Sequence, residues 1–130
     1  MLSVRKSPIG GRSALGVFAD RPFGVGETIE VAYVIIIPRD ESRLLATTSL
    51  DSYIFQWGGG CTAVALGLGS LYNHSYTPNA QYHQDTRNRQ LEFTAISPIS
   101  AGEEITINYN GNPESRAPIW FDVRDQVSDP

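Results

Sequence analysis

The chain has 130 residues, 41% hydrophobic and 18% charged, which is typical of one folded domain, and its single cysteine, Cys61, excludes an internal disulfide and a cysteine-ligated zinc site. A net charge of −4 argues against sequence-independent binding to nucleic acid, and the longest aliphatic run, residues 31–37, is too short to span a bilayer. We therefore expect no direct nucleic-acid partner and no membrane partner. Because no apolar leader follows Met1, we expect an intracellular protein, cytoplasmic or, in a eukaryotic host, nuclear.

Taken in chain order, the sequence predicts short strands separated by turns. Residues 28–37 are rich in β-branched side chains and end at Pro38, and residues 90–95 alternate apolar and polar side chains as a half-buried strand does. The polar stretch 40–49 predicts one short helix, and no segment keeps a 3.6-residue period over three turns. The predicted strands are residues 17–19, 28–37, 53–57, 61–66, 81–84, 90–95 and 105–109. The sequence thus predicts a mainly β fold with little helix.

The densest cluster of polar side chains lies in residues 71–79. It contains two asparagines, a histidine, a serine and a proline between apolar stretches. Asparagine, serine and proline are turn formers, so a capped loop explains this composition. A loop that presents backbone and amide groups to a polar ligand also explains it. Composition alone does not choose between the two.

Other familiar patterns are incomplete. The two histidines, His74 and His83, have no third ligand at helical or hairpin spacing, so we predict no metal site. Ser75 directly follows His74 without an orienting acid, so the pair does not predict a nucleophilic triad. The run at residues 67–69 has Tyr72 where a dinucleotide-binding fingerprint needs its third glycine.

Residues 73–79 resemble the Asn-His-Ser-x-x-Pro-Asn motif of SET-domain protein lysine methyltransferases. Residues 101–109, Ala-Gly-Glu-Glu-Ile-Thr-Ile-Asn-Tyr, resemble the C-terminal signature of that family. Residues 7–19 and 26–29 resemble its N-terminal cofactor segment and the start of its next strand. The order and spacing of the four segments fit the family, and the chain looks most like its minimal viral and bacterial members.

The resemblance implies a β-clip-like SET fold, in which small sheets surround a pseudoknot. In that fold the strand-end tyrosine segment and the Asn-His-Ser loop are brought together, which agrees with the predicted short strands and turns. The resemblance also implies a single domain over residues 1–130, with a core at about residues 3–111 and a C-terminal flank at residues 112–130.

The resemblance implies an enzyme with S-adenosylmethionine as methyl donor. The acceptor would be the ε-amine of a lysine in a protein or peptide, a histone being a suitable example, and donor and acceptor would meet through a narrow channel. Two alternatives stay open: a non-catalytic module that binds the cofactor or a basic peptide, and methyl transfer to a non-protein amine. Glu103 and Glu104 fit either a solvated turn or a surface that attracts a basic peptide.

The resemblance also implies residue roles. Tyr109 matches the catalytic tyrosine, although a core tyrosine is the alternative because it shares a strand face with Ile105 and Ile107. A glycine at position 16 lets the main chain approach a ligand closely. The implied cofactor-binding residues are Leu15, Gly16, Asn73 and His74. The implied substrate-channel residues are Tyr53, Ile107 and Trp120, with Phe121 as an alternative to Trp120.

Three positions depart from the family pattern. Ala14 replaces the first glycine of the family's Gly-x-Gly segment, which bears on cofactor affinity. Tyr76 replaces a common cysteine, and the zinc-binding cysteine cluster that often follows is absent from this sequence. Ile107 stands where an aromatic residue often helps to set the number of methyl groups added. We expect the C-terminal flank, or the second subunit of a homodimer, to wall the channel.

Overall fold

The structure is a computed structural model that describes residues 1–9 and 14–119. Within these residues the chain forms nine β-strands, one α-helix and three short 3₁₀ turns, so the prediction of a mainly β fold is confirmed. The strands are β1 (Leu2–Lys6), β2 (Leu15–Ala19), β3 (Thr28–Ile37), β4 (Ile54–Gln56), β5 (Thr62–Ala65), β6 (Asn73–His74), β7 (Ala80–Asp85), β8 (Gln90–Ala95) and β9 (Glu104–Ile107). The helix is α1 (Arg39–Leu45), and the 3₁₀ turns are Ser49–Tyr53, Gly58–Gly60 and Gly69–Leu71.

The smaller sheet has the strand order β1-β2-β9-β6. β6 and β9 run parallel, with His74 opposite Ile107, whereas the other pairs are antiparallel. A two-residue strand has few ladder bonds of its own, and the Asn79 side chain supplements them. Its Oδ1 accepts from the Thr106 N–H at 2.9 Å, and its Nδ2 donates to the Glu104 carbonyl oxygen at 2.8 Å. Asn79 therefore ties the segment that follows β6 to the start of β9.

The larger sheet has the order β4-β5-β3-β8-β7 and is antiparallel throughout. It curls so that its two edge strands meet. The Phe55 ring on β4 lies 4.9 Å from the Tyr82 ring on β7, edge to face. The Gln84 side-chain amide on β7 donates to the Gln56 carbonyl oxygen on β4. The two edge strands therefore face each other across a space, and Gln56 and Gln84 at its rim are exposed to solvent.

Alternation along β3 decides which side chains reach the core. Ala32 and Ile29 are buried, whereas Val31 and Tyr33 are exposed. Ile29 and Ala32 are an odd number of residues apart and still face the same side, because a β-bulge at Ile29 shifts the register. The Tyr72 ring, from the segment before β6, stacks over Phe93 on β8 at 4.5 Å between ring centroids. The two sheets thus share one core. Its most buried side chains include Val17, Phe23, Phe55, Tyr72, Leu91, Phe93, Ile99, Ile105 and Ile107.

The predicted short helix is present as α1, which has seven residues. Pro38 precedes it, and Asp40 and Glu41 lie in its first turn, where negative charge favours the N-terminal end of a helix. The Ser42 hydroxyl donates to the Pro38 carbonyl oxygen at 2.9 Å. In the part of the chain that the structure describes, no helix has the length and apolar character needed to cross a membrane.

The structure differs from the predicted elements at a few places. Tyr53 ends a 3₁₀ turn instead of starting a strand. The strand predicted to reach Tyr109 ends at Ile107, since the Asn108 side chain donates to the Ser115 carbonyl oxygen at 2.7 Å and turns the chain toward the C-terminal flank. The sequence predicts neither β1 nor β6, because both depend on pairing with strands that lie elsewhere in the chain.

Candidate active site

Two motifs that lie far apart in the sequence meet at the parallel pair of β6 and β9. The Tyr109 backbone N–H donates to His74 Nδ1 at 3.1 Å, and the Ser75 N–H donates to the Ile107 carbonyl oxygen at 2.8 Å. Because Nδ1 accepts this bond, the His74 ring is neutral and carries its proton on Nε2. The strand-end tyrosine thus lies directly beside the Asn-His-Ser loop.

Tyr109 is buried, and contacts on several sides fix its position. Its hydroxyl donates to the Tyr72 carbonyl oxygen at 2.9 Å. The Phe55 ring stacks on the Tyr109 ring, with 4.8 Å between centroids and 16° between planes. The Tyr82 hydroxyl donates to the Tyr109 carbonyl oxygen at 3.0 Å. Since the phenol donates its proton to Tyr72, its oxygen can only act as an acceptor toward other groups.

A cavity of about 280 Å³ opens beside Tyr109, between the two edges of the larger sheet. Its wall combines aromatic rings, side-chain amides and the His83 imidazole, and the described residues that line it include neither a carboxylate nor an ammonium group. The lining residues are Gln56, Tyr82, His83, Gln84, Tyr109, Asn110 and Gly111. We call this space the aromatic cavity, because the Tyr82 and Tyr109 rings lie in its wall and the Phe55 ring packs against both of them. Such a wall suits a long side chain with an aliphatic stem and one polar end.

Burial sets the ionisation of two tyrosines near Tyr109. Desolvation, together with the neighbouring Tyr109 hydroxyl, raises the pKa of Tyr82. Desolvation is also the main cause that raises the pKa of Tyr72, and the Glu30 carboxylate, which accepts the Tyr72 hydroxyl proton at 2.7 Å, adds to it. Both phenols therefore stay protonated well beyond neutral pH.

Leu15, Gly16 and Asn73, which the sequence analysis assigns to one site, do meet. Asn73 Nδ2 donates to the Leu15 carbonyl oxygen at 2.8 Å and to Glu104 Oε2 at 2.7 Å. The other oxygen of this carboxylate accepts from the Ser7 hydroxyl at 2.6 Å. A Cβ at Gly16 would lie 2.2 Å from Glu104 Oε2. We call Ser7, Leu15, Gly16, Asn73 and Glu104 the polar junction.

Ala14, directly before β2, has a φ of 63°, in the left-handed region that glycine favours. Its carbonyl oxygen accepts from the Ser7 N–H at 2.9 Å, so this turn holds the N-terminal segment against the polar junction. The family pattern has a glycine at this position, and glycine adopts this left-handed backbone conformation without steric strain.

The C-terminal flank crosses the Asn-His-Ser loop. The Tyr76 hydroxyl and the Asn110 side-chain amide both donate to the Ala117 carbonyl oxygen, each at 2.8 Å. The Asn108 side-chain amide donates to the Ser115 carbonyl oxygen. Tyr76, at the position where the resemblance expects a cysteine, therefore holds the flank by a hydrogen bond.

The predicted channel residues have different positions. Ile107 is fully buried in β9, two residues before Tyr109. Tyr53 is half-buried, and Phe55, two residues later, supplies the ring that stacks on Tyr109. Trp120 lies outside the described residues, as does Phe121.

Sequence reasoning missed Phe55 and Tyr82 as neighbours of Tyr109. Strand alternation predicts their inward orientation but does not say which distant ring they meet. Sequence reasoning also placed Glu104 either in a solvated turn or on a surface that attracts a basic peptide, since Gly-Glu-Glu is a common way to begin a strand. In the structure Glu104 is half-buried and bonded to residues from two other segments.

Comparisons with known proteins identify the family. Residues 14–110 match the SET domain. The chain belongs to the SET-domain family. It is 31% identical over 112 residues to the histone-lysine N-methyltransferase, H3 lysine-37 specific, of Schizosaccharomyces pombe, and this match covers 85% of the chain and 72% of the relative.

Solved structures share this SET fold. A crystal structure of a Plasmodium falciparum protein assigned as a histone methyltransferase is 31% identical, with a TM-score of 0.66, and the match covers 86% of this chain and 99% of that one. A structure of Chaetomium thermophilum polycomb repressive complex 2 bound to S-adenosylmethionine is 25% identical, with a TM-score of 0.67. That match covers 85% of this chain and 15% of the other.

Family membership and these relatives support S-adenosylmethionine-dependent lysine methylation as the activity of this SET domain, and they do not favour the non-catalytic module. Leu15 and Asn73 of the polar junction, together with the neighbouring His74, fit the cofactor that the family uses. S-adenosylmethionine carries an amino-acid end and an adenine, both of which hydrogen-bond to amide, imidazole and main-chain groups. Such groups are present on Leu15, Asn73 and His74, and the Asn73 and His74 side chains are buried.

Proposed function

We propose that this SET domain transfers a methyl group from S-adenosylmethionine to the ε-amine of a lysine in a histone. The acceptor class is supported by the Schizosaccharomyces pombe relative, whose name specifies a lysine of histone H3. A histone acceptor would place the reaction in the nucleus of a eukaryotic host. The observation that carries the proposal is the Tyr109 phenol, held by the Tyr72 carbonyl oxygen and the Phe55 ring beside the cavity.

Tyr109 is the catalytic residue of this proposal. When bound, S-adenosylmethionine supplies an electrophilic methyl group on its sulfonium. The acceptor nitrogen must face that carbon in line at about 3–3.5 Å. The Tyr109 oxygen, whose proton is directed to Tyr72, is an acceptor of fixed position that can align the amine. A misplacement of about 1 Å would cost about 10²-fold in rate.

The cofactor is assigned to Leu15, Gly16, Asn73 and His74. Leu15 and Gly16 offer main-chain groups at the start of β2, and the Asn73 amide is already oriented by the Leu15 carbonyl oxygen. The neutral His74 ring is packed edge to face on Tyr76, with 4.5 Å between centroids. These contacts support a preformed cofactor site, since they hold the Asn73 and His74 side chains in place before a ligand binds.

The lysine must lose its proton before transfer. With an ordinary lysine pKa of about 10.4, deprotonation at pH 7 costs roughly 4.6 kcal/mol. The rings of the aromatic cavity lower the pKa of an enclosed lysine by desolvation. The described lining residues include no carboxylate, and this proposal assigns the proton to water rather than to His83, which also lines the cavity.

The C-terminal flank forms part of the channel in this proposal. The hydrogen bonds from Tyr76 and Asn110 to Ala117 support the flank, rather than a second subunit of a homodimer, as the wall. Residues 1–130 then act as one domain, with the flank beginning near residue 112. Tyr53, Ile107 and Trp120 stay candidates for the channel from the resemblance.

The test is transfer of a labelled methyl group to histones, with Tyr109→Phe beside the wild type. Tyr33→Phe is the matched control, because Tyr33 is 63% exposed on the outer face of β3. We expect label on lysine with the wild type and with Tyr33→Phe, and about 10²-fold slower transfer with Tyr109→Phe. Equal rates for Tyr109→Phe and wild type would refute the role of Tyr109. A wild type that binds S-adenosylmethionine and labels no histone would refute the histone acceptor.

A further inference from the structure

We infer that Glu104 is a positioning residue for the cofactor site, acting through Asn73 and Ser7. This inference rests on the proposed function, since it assigns to Glu104 the task of holding residues that bind S-adenosylmethionine. Glu104 is the first residue of β9, and its carboxylate faces two other segments of the chain.

The Glu104 carboxylate divides its two oxygens between two segments. Oε1 accepts from the Ser7 hydroxyl at 2.6 Å, and Oε2 accepts from Asn73 Nδ2 at 2.7 Å. The Ser7 oxygen in turn accepts from the Ile9 N–H at 3.1 Å. One side chain therefore links the N-terminal segment, β6 and β9, and the partners of the first bond are 97 residues apart in the chain.

The bonds to Glu104 fix how the Asn73 amide is turned. An asparagine side chain has two donor hydrogens on Nδ2, and here one is directed to the Leu15 carbonyl oxygen and the other to Glu104. The amide nitrogen thus faces β2 and β9, and Oδ1 necessarily faces away from them. Asn73 is 3% exposed and Ser7 is 6% exposed, so water cannot easily replace a lost carboxylate.

Glu104 also gives Gly16 a second reason to be glycine. The first reason is that a glycine at this position lets the main chain approach a ligand closely. In the structure, a Cβ at position 16 would lie 2.2 Å from Glu104 Oε2 and 2.9 Å from Asn73 Nδ2, both shorter than any normal contact. Hence an alanine at position 16 would displace the carboxylate even before a ligand arrives.

The first experiment measures the dissociation constant of S-adenosylmethionine by calorimetry for the wild type, Glu104→Ala and Glu104→Gln. Glu103→Ala is the matched control, because it removes the same charge from the preceding residue, whose carboxylate accepts the Ser100 N–H on an exposed turn. We expect Glu104→Ala to weaken binding about 10–100-fold, since two buried donors lose a charged acceptor. We expect Glu104→Gln to restore most of the affinity and Glu103→Ala to match the wild type.

Steady-state kinetics separate positioning from general destabilisation. A positioning role predicts that Glu104→Ala raises KM for S-adenosylmethionine and leaves kcat at saturating cofactor and KM for the histone peptide close to wild type. Loss of kcat and of peptide binding in the same proportion, without rescue by Glu104→Gln, would overturn the inference.

The second experiment is a double-mutant cycle with Gly16→Ala. If Glu104 is what requires the glycine, Gly16→Ala weakens cofactor binding strongly in the wild type and little further in the Glu104→Ala background. An equal loss in both backgrounds would assign the glycine to the ligand and would overturn this part of the inference.

The outcomes distinguish the inference from the proposed function. Wild-type affinity in Glu104→Ala would overturn the inference and leave the proposed function standing, because the wild type would still bind S-adenosylmethionine. A wild type that shows no binding of S-adenosylmethionine would overturn the proposed function, and the inference with it.

Discussion

The polar junction and the aromatic cavity lie at the two ends of one short stretch of chain, and they are built in opposite ways. At the start of β9, Glu104 collects hydrogen bonds from Ser7 and Asn73, so direction and charge hold the junction together. Beyond the end of β9, the Phe55 and Tyr82 rings pack around Tyr109, so the shape of the cavity depends on side-chain volume and ring stacking. Isosteric changes that leave a buried hydrogen-bonding group unmatched, or that bring two like charges together, should therefore damage the junction, and changes of volume should damage the cavity.

The largest effect is expected at Phe55, which is fully buried against Tyr109 and Tyr82. Phe55→Ala should lower the free energy of unfolding by about 3–5 kcal/mol, because it removes a core ring and leaves a void. Phe55→Leu should cost about 1 kcal/mol, since most of the volume remains. Urea unfolding measures both, with Tyr33→Ala as an exposed control that should change stability by less than about 0.5 kcal/mol. A loss below 1 kcal/mol for Phe55→Ala would mean that packing does not hold the cavity.

The next effect is the pH dependence of methyl transfer at the aromatic cavity. Single-turnover rates should rise about tenfold per pH unit above pH 7, until the pKa of the enclosed lysine is reached, because only the neutral amine accepts the methyl group. Burial raises the pKa of Tyr72 and of Tyr82, so neither phenol ionises in this range. His83 is the histidine among the lining residues of the cavity, and His83→Gln should leave the profile unchanged. A flat profile from pH 7 to about pH 9.5 would contradict proton loss to water.

A smaller effect is expected from Asn73→Asp at the polar junction. Aspartate has nearly the same shape, but it cannot donate to the Leu15 carbonyl oxygen and brings a second negative charge to within 2.7 Å of Glu104. The free energy of unfolding at pH 8 should fall by about 2 kcal/mol. The loss should shrink as the pH approaches about 4, where one carboxyl is protonated.

Asn88→Asp is the control for this substitution. Asn88 also donates to a carboxylate, Asp85, at 2.8 Å, but on an exposed hairpin turn, so its loss should stay below about 0.5 kcal/mol. Equal losses at positions 73 and 88 would mean that burial at the junction is not what makes the bond strong.

The smallest effect per side chain is a loss of stability in strong alkali. Tyr72 and Tyr82 have raised pKa values in the folded protein, whereas a tyrosine in the unfolded chain ionises near pH 10. The stability from their neutral forms is complete below about pH 10 and is lost as the pH rises toward the raised values, by up to about 1.4 kcal/mol per pH unit for each tyrosine. Thermal unfolding from pH 9 to pH 11 checks this. Tyr82→Phe should make the decline less steep, and an unchanged slope would contradict it.

Local sequence patterns were sufficient to predict many of the strands of this SET domain. The alternation of Leu91 and Phe93 predicted β8, and the β-branched run predicted β3, because strand periodicity is a local property. The resemblance supplied Tyr109 and the Asn73–His74 pair, and the structure brings these together. The sequence pattern did not predict the β-bulge at Ile29, because an extra residue in one strand can be recognised only once the register with the partner strand is known.

The sequence by itself determined the strand content, the polar loop and the residues that a SET domain needs, since each is encoded in a short run of neighbouring residues. Only the tertiary structure decided that Phe55 stacks on Tyr109, that Tyr76 holds the flank through Ala117, and that Glu104 joins Ser7 to Asn73. These contacts join residues distant in the chain. Which donor meets which acceptor depends on how the sheets curl and on the parallel pairing of β6 with β9, and no local period records either.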